Sequence, residues 1–288
     1  MNKELVKKIQ EFLGLKADGI YGIKTRTAVM DYQRVHNLVV DGIAGKATLQ
    51  SMGILDTDLT TRMGFFANGV FVNTYHLPKS EYIEQSNNKN EYLFLHHTAG
   101  WNNPYSAIDY WAKDGNGKIA TEFVIGGINI KNNDNKYDGV VVQAFPEGGQ
   151  GWHLGTTGSP YMNKHSVGIE LCNFGYIENN RTYTGQLCPV NDICELEEEF
   201  RGYKTYHKYT ELQLRSLKKL IEYVGRRDNI DIRKGLVEWI DKEGAKAFEF
   251  HADAYNGKVK GLLSHSNVRK DKWDVSPQPE LIDMLKTL

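Results

Sequence analysis

Tyr92-Leu-Phe-Leu-His-His-Thr-Ala-Gly100 runs as a short apolar strand into two histidines and a loop. Side chains alternate along a strand, so Tyr92, Phe94 and His96 share one face while Leu93, Leu95 and His97 share the other. Only one of the two histidines can easily face a given cleft. Further β-branched or aromatic runs, bounded by Gly, Asn or charged residues, are Thr121-Glu-Phe-Val-Ile125, Val140-Val-Val-Gln-Ala144 and Val167-Gly-Ile-Glu-Leu171. Between them lie helical patterns. Thr210-Glu-Leu-Gln213 reads as a capping box ahead of Leu214, Leu217, Ile221 and Val224, and a last helix is expected from Glu280 to Leu288. Strands alternating with helices give an α/β fold, one sheet flanked by helices.

The chain has 288 residues, which favours two domains, or one large domain carrying a small accessory module. With 40% apolar and 25% charged residues it is globular rather than disordered. A net charge of -1 argues against a nucleic-acid partner, which calls for a basic surface. No apolar run approaches the roughly 18 to 20 residues of a membrane helix, so no membrane partner is expected. Charges interrupt the first ten residues, leaving no signal-peptide core. The expected location is therefore the cytoplasm, until something releases the protein. Three cysteines, Cys172, Cys188 and Cys194, do not suggest a disulfide framework and read as structural or incidental thiols.

A repeat sets the N-terminus apart. Asp18-Gly-Ile-Tyr-Gly-Ile-Lys-Thr25 returns 23 residues later as Asp41-Gly-Ile-Ala-Gly-Lys-Ala-Thr48. Each copy supplies glycines for tight turns and a Thr able to cap the next helix. Leu5, Ile9, Phe12 and Leu13 fall on one helical stripe, Ala28, Val29, Tyr32 and Val35 on a second, and Ala47 to Met52 is a third helix candidate. Two similar turns joining helices would be the plain reading. The stretch from Leu5 to Leu55, however, resembles the peptidoglycan-binding domain found at the ends of cell-wall hydrolases. The expected division is a three-helix module over 1–55, a linker over 56–67 and a larger unit over 68–288. Eight Lys or Arg against five Asp or Glu make the module mildly basic, so its recognition of a wall should rest mainly on shape and hydrogen bonds.

Three segments of the larger unit can carry chemistry. His96-His97 ends a strand, where a core histidine beside a surface one is the ordinary alternative to metal ligation. Ser264-His-Ser-Asn-Val-Arg-Lys-Asp-Lys-Trp-Asp274 holds a histidine and a carboxylate nine residues apart, able to reach one cation if the loop folds back, or else simply a charged surface loop. His251 competes with His265. Glu170 sits mid-strand opposite Val167, Ile169 and Leu171. A carboxylate buried without a partner has a raised pKa and suits general acid–base work, although a salt-bridged structural Glu would look the same.

Together these segments, with Gly151-Trp-His-Leu-Gly155 and Asn163-Lys-His-Ser-Val-Gly-Ile-Glu-Leu171, resemble the zinc-dependent N-acetylmuramoyl-L-alanine amidase family over most of residues 68–288. The resemblance implies a mixed central sheet flanked by helices with a zinc cleft. It also implies Zn2+ held by His96, His265 and Asp274, with Glu170 and Lys272 catalytic. His153, Trp152, Thr98 and Asn163 would line the substrate groove. Val268, three residues after the ligand histidine, favours His265 over His251. The expected partner is peptidoglycan, cut between N-acetylmuramic acid and the L-alanine of the stem peptide by a monomeric, phage endolysin-like enzyme.

Two features depart from the family. Asp274 is followed by Val-Ser-Pro277 where Pro-Gly-Pro is common, and segments 176–209 and 226–260 are longer than a minimal member needs. A recognition protein that binds without cutting is the alternative, yet such members typically lose a ligand and here every candidate is present. A muramidase using Glu122 and Glu170 as paired carboxylates is a third reading, without specific support in the spacing.

Overall fold

The structure, a computed structural model, describes residues 3–36, 38–54, 64–84, 89–132, 135–155 and 158–288. Two compact units divide the chain, Met1–Met63 and Gly64–Leu288.

In the first, α1 (Lys3–Phe12), α2 (Ile23–Val35) and α3 (Lys46–Ser51) close around Leu5, Ile9, Val29, Ala44, Leu49 and Met52. The predicted stripes hold at their centres and fail at their ends. Phe12 is 47% and Val35 76% exposed, because a core of three short helices is too small to cover the last turns. The repeat also reaches further than its turns. Gln10 and Gln33, themselves 23 residues apart, are both buried. Gln10 Nε2 donates to Asp18 Oδ1 (2.7 Å), the Ile20 carbonyl (2.9 Å) and Thr25 Oγ1 (3.0 Å), while its Oε1 accepts from Gly19 N–H (2.8 Å). Gln33 makes the equivalent bonds to Asp41, Ile43, Thr48 and Gly42 at 2.7, 2.8, 3.0 and 2.8 Å. Thr25 and Thr48 are thus not caps. Gly22 caps α2 without a side-chain bond, and the threonines serve a buried amide that must be satisfied.

The second unit starts inside the stretch expected as linker. Gly64–Ala67 is strand β1, with Phe65 packed on the core, and residues 56–63 of that expected linker lie outside the described residues. Asn68 and Gly69, both at positive φ (48° and 86°), turn the chain into β2 (Val70–Thr74). Such a two-residue turn matches the twist of the strands it joins. There follow β3 (Tyr92–His97), α4 (Pro104–Trp111), β4 (Phe123–Ile125), β5 (Val141–Gln143), α5 (Pro160–Lys164) and β6 (Ser166–Leu171). Two small hairpins come next, β7 (Ile177–Glu178) with β8 (Arg181–Thr182), and β9 (Ile193–Phe200) with β10 (Tyr203–His207). The chain ends with α6 (Glu211–Asp228), α7 (Leu236–Glu243), α8 (Ala252–Tyr255), β11 (Gly261–Ser264), α9 (His265–Val268) and α10 (Pro279–Lys286).

The central sheet has the order β1-β2-β5-β4-β6-β3-β11. It is mixed: β6, β3 and β11 run parallel, whereas β5 pairs antiparallel with β4. One face buries Leu93, Leu95, Val167 and Ile169 against Leu217, Ile221 and Val224 of α6 and Leu281 of α10. The other packs Tyr92, Phe94 and Leu263 on Leu154 and Met162. At the start of α6 only half of the capping box forms. Thr210 Oγ1 accepts from Gln213 N–H (3.0 Å), but the Gln213 amide donates to the Ile125, Gly126 and Cys172 carbonyls (3.3, 3.3 and 3.1 Å), tying the helix to the sheet instead. All three cysteines are free thiols. Among the described residues no helix is long and apolar enough to cross a membrane.

Replacing Gln33 by Ala strands the Gly42 N–H and the Ile43 carbonyl inside the small module. The expected loss is about 1–3 kcal/mol, read as faster amide exchange across residues 3–52 of the full chain with the second unit unaffected. Unchanged protection in the module would show that the glutamine network carries no stability.

Candidate functional site

Three neighbouring parallel strands bring the site together at their C-terminal ends, where an α/β sheet ordinarily opens a crevice. His96 on β3 stands opposite Glu170 on β6, and Ser264, the last residue of β11, pairs with Leu95, so His265 emerges beside His96. Alternation assigns the faces. Phe94 and His96, like Gly168 and Glu170, lie on the side away from the α6 core. His97 faces the other way, with its ring against Gly175, yet it still borders the cleft because the strand ends there. The expectation that only one of the pair would reach the cleft is corrected in that respect.

His96 Nδ1, His265 Nδ1 and Asp274 Oδ2 form a closed triangle with edges of 3.1, 3.2 and 2.9 Å. All three residues are buried. Three lone-pair atoms that each face the other two cannot all be joined by linear hydrogen bonds. Such a group can hold a metal ion. Burial, reinforced by His265, lowers the His96 pKa to about 4, so its nitrogen is a free base at neutral pH. Burial alone would raise Asp274, but the histidines that face it, His265 foremost, outweigh burial and hold the carboxyl well below the usual carboxylate range.

A second tier backs the triangle. His96 Nε2 lies 2.9 Å from His153 Nδ1, and His153 Nε2 lies 2.8 Å from Ser166 Oγ. Burial holds His153 well below the ordinary histidine value, so it is neutral. A neutral His153 that donates to Ser166 accepts from His96 Nε2, which leaves His96 Nδ1 as the lone-pair nitrogen. Gly168 makes room for this ring: a Cβ there would sit 2.7 Å from Thr121 Cγ2 and 3.1 Å from His153 Cγ. The parts played by Ser166 and Gly168 escaped the sequence reading, although alternation sets Gly168 on the face of Glu170. Their strand alternation with Glu170 was the available signal.

The cleft, about 420 Å³, is lined by His96, Thr98, His153, Glu170, Lys272 and Asp274 together with an aromatic wall that includes Tyr176 and Trp273. Burial and the negative Asp274 raise Glu170 to about 8 against the opposing pull of Lys272. Two expected groove residues are absent from this lining. Asn163 is buried, its Oδ1 accepting from Leu154 N–H (2.9 Å), so it braces the His153 turn from behind. Trp152 is held by its backbone N–H to the Lys118 carbonyl (2.7 Å) and is not among the residues that line the cleft. His251 stacks on Trp239 at 3.8 Å and lies outside the triangle, leaving His265. Glu122 is no free carboxylate. Arg227 clamps both its oxygens (2.6 and 2.9 Å) and Gln143 adds a third bond (3.0 Å), which removes the acid that the muramidase reading required.

Comparison with known proteins bears on the same residues. The sequence profile of the N-acetylmuramoyl-L-alanine amidase family matches residues 86–277, about two thirds of the chain, and that of a putative peptidoglycan binding domain matches residues 3–52. No curated protein matches the sequence. Among solved structures, an endolysin N-acetylmuramoyl-L-alanine amidase from Clostridium intestinale is similar at 17% identity and a TM-score of 0.40, over 74% of this chain and 91% of that one. An N-acetylmuramyl-L-alanine amidase from E. coli, bound to an anhydro-N-acetylmuramic acid peptide, is similar at 18% identity and a TM-score of 0.32, over 59% and 54%. The family profile spans the strand of His96, the strand of Glu170 and the loop of His265 and Asp274, and by that match the chain belongs to the N-acetylmuramoyl-L-alanine amidase family.

Proposed function

We propose that this amidase is zinc-dependent, with His96, His265 and Asp274 as ligands, Glu170 as the proton-transfer group and Lys272 as the charge that steadies the oxyanion. One observation carries the metal assignment. Ligands about 2.0–2.1 Å from a tetrahedral zinc stand about 3.3 Å apart, and the triangle's edges run from 2.9 to 3.2 Å. Two imidazoles and one carboxylate would give zinc three protein ligands, the donor number of a catalytic rather than a structural site. Zinc, when bound, supplies Lewis acidity and lowers the pKa of a coordinated water to about 7.

The chain's own residues supply the remainder. Glu170 sits in the cleft, half-buried, as a carboxyl whose proton affinity lies near neutrality, able to take a proton from the attacking water and return it to the departing amine. Lys272 brings a positive charge to the same cleft, where low dielectric strengthens its hold on the developing oxyanion. His153 and Ser166 fix the ring of His96, as outer partners of a ligating histidine do. Thr98 lines the groove. The bond cut joins the lactyl carbonyl of N-acetylmuramic acid to L-alanine, and the N-terminal module holds the enzyme on peptidoglycan. That pairing suits an endolysin acting as a monomer on a bacterial wall.

Dialysis against a chelator should abolish release of L-alanine-terminated peptides from purified sacculi, and stoichiometric zinc should restore it. Full activity with zinc shown to be absent would overturn the metal assignment. Glu170→Gln should keep zinc and wall binding while kcat falls about 10²–10⁴-fold; a variant as lytic as the parent would remove Glu170 from the proton path. His153→Phe, which keeps a ring but loses both hydrogen bonds, should weaken zinc binding about 10–100-fold in a chelator competition. Parental affinity in that variant would reduce His153 to packing.

A further inference from the structure

The hairpin β9–β10, within one of the two segments longer than a minimal family member needs, ends in a turn whose first residue does not match its geometry. Three two-residue hairpin turns in this unit place both residues at positive φ: Asn68-Gly69, Asn179-Asn180 and Arg201-Gly202. Asn, which tolerates the left-handed region, occupies the first position in two of them. Arg201, at φ 54°, occupies it in the third, where a long side chain gains nothing from the backbone and strains it. The reason for an arginine must lie in where its side chain goes.

It goes to the loop that carries Lys272 and Asp274. Arg201 Nη1 donates to the Lys270 carbonyl (2.7 Å) and Nη2 to the Ser266 carbonyl (3.1 Å), so one planar fork spans the loop from its first turn to its outer half. The tip's own carbonyl accepts from Trp273 Nε1 (3.2 Å), the neighbour of both Lys272 and Asp274. Behind the fork, Arg201 Nε pairs with Glu249 Oε2 at 3.0 Å. Glu249 comes from the other long segment, whose Ala247 and Glu249 carbonyls accept from Asn267 Nδ2 (both 2.8 Å) and whose Phe248 carbonyl accepts from Ser266 Oγ (2.7 Å). Both long segments therefore converge on residues 266–273. The arginine side chain is only 12% exposed although it springs from a hairpin tip.

We infer that Arg201 is a positioning residue that braces the 265–274 loop, so that Lys272 and Asp274 are held in register with His96 and Glu170, and that the two long segments exist in this chain to build the brace. The inference rests on the proposed roles of Lys272 and Asp274. A loop free to shift by about 1 Å would cost on the order of 10²-fold in rate.

Arg201→Asn tests it, because Asn suits the turn and keeps the hairpin while removing the fork. Amide exchange over residues 266–273 should rise about tenfold or more with β3 and β6 unchanged. The zinc dissociation constant should rise about 10–100-fold, and kcat on sacculi should fall about 10–100-fold with KM within about twofold. Arg201→Lys, reaching one carbonyl rather than two, should fall between parent and Asn. Glu195→Ala removes an exposed pair with Lys204 (3.1 Å) on the same hairpin and should change none of these. Parental loop exchange and zinc affinity in Arg201→Asn would overturn the brace. Faster exchange throughout the central strands would overturn it too, marking Arg201 as a general stability residue. Exchange and metal affinity are read without substrate, so a failure of the amidase assignment would show as an inactive parent and leave these two shifts standing.

Discussion

Everything in the larger unit answers to one constraint: two imidazole nitrogens and a carboxylate oxygen meet within 3.2 Å of each other, out of water. No single element can do this. His96 is the last residue but one of its strand, His265 follows the end of the next, and Asp274 returns on a loop, so β3 and β11 must be adjacent and parallel with Ser264 level with Leu95. Register is the sensitive variable. A slip of one residue would carry His96 to the α6 side of the sheet and exchange it for His97 or Leu95. The burial of Leu93 and Leu95 against α6 is what forbids that slip, and the hydrophobic core thereby sets the geometry of a polar site.

Burying that triangle also fixes its protonation. Asp274 stays ionised because two histidines face it, while His96 stays neutral because burial outweighs the attraction of Asp274. The same carboxylate acts on Glu170 in the opposite sense, adding to burial and raising it to about 8. Two carboxyl groups in one cleft are thus driven apart in proton affinity, one suited to ligation and the other to proton transfer. Lys272, by opposing the rise in Glu170, keeps the second within reach of neutral pH.

How much of this is legible in the sequence depends on how local each signal is. Period-2 alternation through residues 92–97 and 166–171 is a backbone property, so the faces of His96 and Glu170 were legible from spacing. The ligand set and the roles of Glu170 and Lys272 came from the resemblance, since nine residues of loop between His265 and Asp274 impose no geometry of their own. Asn163 and Trp152, expected in the groove, do not line the cleft for a related reason: membership of a motif says that a residue is needed nearby, whereas only packing says whether it faces the cleft or supports a neighbour from behind. Gln10 and Gln33 were missed although their spacing equals that of the repeat, because a glutamine in a charged helix reads as surface until the acceptors around it are known.

The same distinction explains why the chain carries long segments without obvious chemistry. A loop at the edge of a sheet has water on its outer side; within this one Ser266 N–H donates to the Asp274 carbonyl (2.9 Å) at the base, and Arg269 joins Asp271 (2.7 and 2.8 Å) and the Leu154 carbonyl (2.7 Å) further out. The Lys270 carbonyl and the Trp273 indole find their partners on a hairpin about seventy residues earlier in the chain. Ordering such a loop by contacts from a separate rigid element removes conformational freedom before a reactant arrives, and rate is more sensitive to that order than stability is. A turn that holds an arginine at positive φ thereby delivers its side chain to two carbonyls of that loop, and the local backbone strain is spent on order elsewhere.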